Sequence, residues 1–125
     1  MTIALWCILI ASFLPVLFAG LAKSKMKLAN NAAPREFKRK LTGWRQRAYW
    51  AELNSHESFP PFAAAVVVAH LLSADQNIVD VLAMGYILAR LGYGACYILD
   101  WPMLRSVVWF AGVVCTIGLY GIASL

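Results

Sequence analysis

Residues 3–22 run for twenty positions without a charge, and Lys23, Lys25 and Lys27 follow directly. A helix needs about 20 residues to span the hydrocarbon core of a bilayer, so this run has the length of a transmembrane segment. A cleavable signal peptide would carry its basic residues ahead of the apolar run rather than behind it. The order found here is that of an uncleaved anchor whose N-terminus lies on the side opposite the lysines. Pro15 is expected to kink this helix, which membrane helices tolerate when neighbours satisfy the freed carbonyl.

Composition carries the same message to the rest of the chain. Hydrophobic residues make up 62% and charged residues 14%, against about 45–50% and about 25% in soluble domains. So few polar side chains cannot cover a soluble core. The net charge of +5 is also unevenly placed: nine of the eleven basic residues lie within residues 23–47. A basic cluster between apolar runs reads as topology before it reads as a nucleic-acid patch, so no nucleic-acid partner is expected. The positive-inside rule places the basic loop, residues 23–43, in the cytoplasm, with Asn30, Asn31 and Pro34 as its turn signals.

Beyond the loop, residues 44–72 read as helical, amphipathic at first and apolar from Phe62 onward, interrupted by Pro60 and Pro61. Residues 73–77 form an outer turn with one acid, Asp75. Further spans are expected at residues 78–99 and 103–124, joined by an inner turn at Asp100, Trp101 and Pro102. The expected fold is therefore all-α: a four-helix transmembrane bundle forming one domain over residues 1–125, with both termini opposite the basic loop. Such a chain is an integral, multi-pass protein of the inner or plasma membrane in a bacterium, or of an endoplasmic-reticulum-type membrane in a eukaryote. Glycines at 85, 92, 94, 112, 118 and 121 permit close helix approach, in a tight bundle or an oligomer.

With this topology the polar residues converge at one depth. Arg47, Glu52, Asn54 and Glu57 occupy the inner half of the second helix; Arg90, Tyr93 and Tyr97 that of the third; Arg105 and Ser106 open the fourth. The outer half is expected to hold almost none. A charge within a bilayer costs about 2.5–3.5 kcal/mol on insertion scales, so these groups should face a partner or a cavity. Glu57 and Arg90 could pair and simply hold the bundle together. Alternatively, Trp50, Asn54 and Glu57 at i, i+4, i+7 on one helix face Arg90, Tyr93 and Tyr97 at i, i+3, i+7 on the next. Carboxylate, amide, phenols and the additional guanidinium of Arg105 suit a small zwitterionic or anionic ligand.

Other combinations carry no chemistry. Ser55, His56 and Glu57 are consecutive in a helix and diverge by about 100° each, so they cannot form a triad. His56 and His70 lack metal-pair spacing, and no metal site is expected. Cys7, Cys96 and Cys115 lie in three separate apolar segments and read as packing residues.

The stretch from Arg47 through Trp50, Asn54, Glu57 and Ser58 to Pro60, followed by Arg90-x-x-Tyr93-x-x-x-Tyr97 and by Leu104-Arg105-Ser106, resembles one family in particular. It is that of the membrane-associated proteins in eicosanoid and glutathione metabolism, which includes microsomal glutathione transferases as well as a non-enzymatic activating protein. The likeness extends over nearly the whole chain. It implies a homotrimer with glutathione as co-substrate, bound between subunits near the cytosolic face. By position, Asn54 and Glu57 would hold the glutamyl part, and Arg90, Tyr93 and Tyr97 would line the peptide. Arg105 would stabilise the thiolate and Ser106 assist it. Two positions depart from the pattern: Trp50 stands where catalytic members commonly carry arginine, and Ser58 where the leukotriene branch carries tyrosine.

The resemblance thus implies a glutathione-dependent transferase or peroxidase acting on lipophilic electrophiles or lipid hydroperoxides that enter from membrane lipid. The alternative is a non-catalytic scaffold of the same fold that binds a lipid or a partner protein. Ion transport is disfavoured by the lack of a polar path through the outer half.

Overall fold

The computed structural model describes residues 1–125, the side chain of Ala29 excepted. The chain is all-helical: α1 (Ile3–Ala22), α2 (Pro34–Arg39), α3 (Gly43–Leu71), α4 (Gln76–Ile98) and α5 (Pro102–Ala123), with a 3₁₀ turn at Leu28–Ala32. Three of these helices, α1, α4 and α5, are long and apolar enough to cross a membrane.

Local chemistry sets most of the boundaries. The Thr2 hydroxyl caps α1 by accepting from the Leu5 amide at 3.3 Å. The Asp75 carboxylate caps α4, accepting from the amides of Asn77 and Ile78 at 3.0 and 3.2 Å. Pro102 opens α5 at a position where a missing N–H costs nothing. The turns before α4 and α5 pass through Ser73 and Asp100, both with positive φ (55° and 61°).

The basic loop is more ordered than its turn signals indicate. Pro34 starts α2, Glu36 lies in its first turn, and Lys38 and Arg39 lie in its last, a charge order that complements the helix dipole. Pro60 and Pro61 do not interrupt α3, which continues through both. They remove the N–H partners of the His56 and Glu57 carbonyls, a loss that helices packed among neighbours accommodate.

The core lies where α1, α3 and α4 meet. Ala4, Cys7 and Ala11 from α1 pack with Phe62, Ala65, Val66 and Ala69 from α3 and with Val79, Ala83 and Tyr86 from α4. Phe62 and Tyr86 stack with ring centroids 3.8 Å apart. A side chain at Gly94 would collide with the Phe18 ring, so this glycine allows α1 to seat against α4. The glycines of the last two helices serve largely to pack α5 on α4 within the chain: a methyl at Gly118 would stand 3.3 Å from Leu82, and one at Gly85 3.2 Å from Cys115.

The end of the bundle where α1 and α4 begin is not free of polar groups, contrary to the expectation for the outer half. Asp80 accepts from the Ala4 amide at 2.8 Å and from Gln76 Nε2 at 2.7 Å. Thr2 Oγ1 lies 2.8 Å from His70 Nε2. An α4 carboxylate therefore satisfies one of the free amides at the start of α1, a cap supplied from another helix.

Candidate functional site

Two adjoining hollows share Asn54 and Glu57 on their common rim. The first, of about 350 Å³, lies between α3 and α4 and is lined by Trp50, Leu53, Asn54, Glu57, Tyr93 and Tyr97. The second, of about 450 Å³, runs among α3, α4 and α5, with Ser58, Tyr86 and Arg90 joining an apolar wall from Trp109 to Tyr120. One side of Asn54 and Glu57 is thus aromatic and polar, the other chiefly apolar.

Helical spacing explains the grouping. Trp50, Asn54 and Glu57 share one face of α3, and Tyr93 and Tyr97 stand one turn apart on α4. Tyr93 and Tyr97 meet edge to face at 5.5 Å, and Trp50 closes on Tyr97 at 6.0 Å. The Arg90 guanidinium lies 4.4 Å from the Tyr93 ring centroid, and that of Arg105 lies 4.4 Å from the Tyr97 ring centroid. Two cations thus flank a pair of phenol rings within cation–π distance.

Arg90 is only 2% exposed. Its Nη2 donates to Asn54 Oδ1 at 2.8 Å and to Ser55 Oγ at 3.4 Å. Its Nε is buried without a partner. The Glu57–Arg90 ion pair that could have held the bundle together is not formed. Glu57 is exposed, and its carboxylate receives only a 3.5 Å hydrogen bond from Asn54 Nδ2. Asn54 therefore intervenes between acid and base: its carbonyl side is engaged by Arg90 and its amide side reaches Glu57. Glu57 and Arg90 both line the larger hollow without neutralising one another, which leaves the exposed carboxylate free for a third group.

Arg105 is half-buried against Tyr97, while Ser106 is exposed and its hydroxyl donates to the Pro102 carbonyl at 3.1 Å. Neither Arg105 nor Ser106 lines a hollow; Arg105 reaches the smaller one only through the Tyr97 ring. Glu52, grouped by sequence with the converging polar residues, points elsewhere. Lys38 Nζ from α2 binds both its oxygens, at 2.7 and 2.9 Å, in a buried ion pair. Arg47 donates to the Ile98 carbonyl at 3.0 Å and so caps the end of α4. Tyr86 was missed by the sequence reading. Its hydroxyl donates to Ser58 Oγ at 3.1 Å, placing two hydroxyls on the wall of the larger hollow.

A family model described as the MAPEG family matches residues 3–125. The chain belongs to the MAPEG family. The match covers essentially the whole chain, so all five helices, the basic loop and both hollows fall within the MAPEG region. Membership together with three apolar helices makes this an integral membrane protein. No curated protein matches the chain by pairwise comparison.

Proposed function

We propose that this MAPEG chain is a glutathione-dependent transferase or peroxidase acting on lipophilic electrophiles. The observation that carries the reading is the Arg105 guanidinium held 4.4 Å from the ring of Tyr97, which with Asn54, Glu57 and Tyr93 lines the smaller hollow.

The donor set suits the tripeptide. Glu57, unpaired with any base, offers a carboxylate for an ammonium group, and Asn54 offers an amide for a peptide backbone. Tyr93 and Tyr97 give a wall of phenol rings. Trp50, where an arginine is common in catalytic relatives, adds aromatic surface in place of a charge; Arg90, one turn from Tyr93, supplies a cation on the opposite side of Asn54. Bound glutathione would supply the sulfur nucleophile. Arg105 would hold positive charge beside that sulfur, favouring the anion over the thiol, whose proton passes to water. With an aryl halide, a sulfur–carbon bond would form as the halide anion departs. Ser106 can assist only if its hydroxyl leaves the Pro102 carbonyl. The apolar wall of the larger hollow, continuous with the shared rim, suits the lipophilic partner.

The membrane arrangement is part of the same proposal. Helix α3, 29 residues long, would also span the membrane, second in chain order, packed along α1 and α4, with the basic loop in the cytoplasm. Its outward face carries Leu53, His56, Glu57, Pro60 and Val67, all exposed. A histidine and a carboxylate do not face lipid without cost, so a second copy of the chain is expected to cover them, in a homotrimer. Glutathione binding by calorimetry, with turnover of a generic aryl halide, tests the activity. A protein that binds no glutathione overturns it.

A further inference from the structure

We infer that the segment from Lys23 to Arg45 is a binding surface for the anionic phospholipid headgroups of the leaflet it faces. Between residues 23 and 51 there are nine bases and one acid, Glu36. The structure separates these bases by role. Lys38 is buried in its ion pair with Glu52, and Arg47 is spent on the Ile98 carbonyl. Lys25, Lys27, Arg35, Arg39 and Lys40 are all exposed, and Lys38–Glu52 is the only ion pair among the described residues.

Three features point to a lipid surface rather than a soluble polyanion. The patch begins at the first residue after α1, a helix long and apolar enough to cross a membrane, and ends in the first turn of α3, so it starts where such a helix ends. It is fixed in place: the Lys38–Glu52 pair ties α2 to α3, two turns along that helix, and Arg45 donates to Ser24 at 3.1 Å. It also mixes bases with outward apolar side chains. Leu28 is 89% exposed beside Lys27, and the exposed Trp44 carries Arg45 4.4 Å from its ring centroid. Bases alternating with exposed leucine and tryptophan are what the headgroup region accommodates, with the apolar groups entering the acyl boundary. Basic residues near an anionic leaflet each strengthen its attraction about fivefold.

The test is native mass spectrometry of the full chain released from bilayers of phosphatidylcholine with a minor fraction of phosphatidylserine, reading the retained lipid of each kind. Retained lipid should be enriched in phosphatidylserine over the bulk bilayer, and added salt should reduce that enrichment. The combined variant Lys25→Gln, Lys27→Gln, Arg39→Gln and Lys40→Gln, which leaves Lys38 in place, should reduce it about tenfold or more. Should that variant fail to fold, the salt series on the parent decides. Retained lipid in bulk proportion, or enrichment indifferent to both salt and the substitutions, overturns the inference. A parent that shows bulk lipid composition yet binds a short single-stranded RNA overturns it in favour of a nucleic-acid surface.

Discussion

Arg90 Nη2 donates to Asn54 Oδ1 at 2.8 Å, so a buried guanidinium in this bundle is held by an amide and not by a carboxylate. Removing the amide leaves the cation with one long contact to Ser55 and a buried Nε that already lacks a partner. Asn54→Ala should therefore lower stability by about 1–3 kcal/mol, whereas Glu57→Gln, at an exposed side chain, should change it by less than about 0.5 kcal/mol. Thermal unfolding in mild detergent, followed by helical circular dichroism, compares the two. Equal destabilisation would mean that Glu57 does hold Arg90.

The Lys38–Glu52 ion pair links α2 to α3, with both partners buried. Glu52→Gln alone strips the counter-charge from a buried ammonium and should cost about 3–5 kcal/mol. Lys38→Met with Glu52→Leu should recover most of that loss, because burying an ion pair gains little over apolar packing. A double-mutant cycle on unfolding midpoints reads the coupling directly.

Phe18 rests against Gly94 so closely that no side chain fits at that position. Gly94→Ala should cost about 1–3 kcal/mol through overpacking. Phe18→Leu, mildly destabilising by itself, should be less so in the Gly94→Ala background, since the smaller side chain restores room. Additive losses, measured by unfolding, would place the strain elsewhere.

The all-helical class was legible because apolar runs of span length, ended by Asn, Asp, Pro and Lys clusters, admit little else. The gathering of Tyr93 with Tyr97, and of Asn54 with Glu57, follows from spacing within single helices. What the sequence hid depends on how one helix is rotated against another. Asn54 and Glu57 lie one turn apart on α3, and only packing decides that the amide reaches the guanidinium. The Lys38 to Glu52 contact needs α2 to fold back on α3, and that between Asp80 and the Ala4 amide joins residues 76 positions apart. The first had a readable precursor in the Pro34, Glu36 and Lys38 helix signals; the second had none.

The role of Arg105 is open to one direct measurement, ultraviolet difference absorbance of the glutathione thiolate, as glutathione is titrated into the purified protein at neutral pH. The parent should show thiolate on binding. Arg105→Ala should lose that signal and turn over an aryl halide on the order of 10²–10³ more slowly, with calorimetric affinity for glutathione little changed. Glutathione bound by the parent without a thiolate signal, or an undiminished signal in Arg105→Ala, would contradict activation by Arg105.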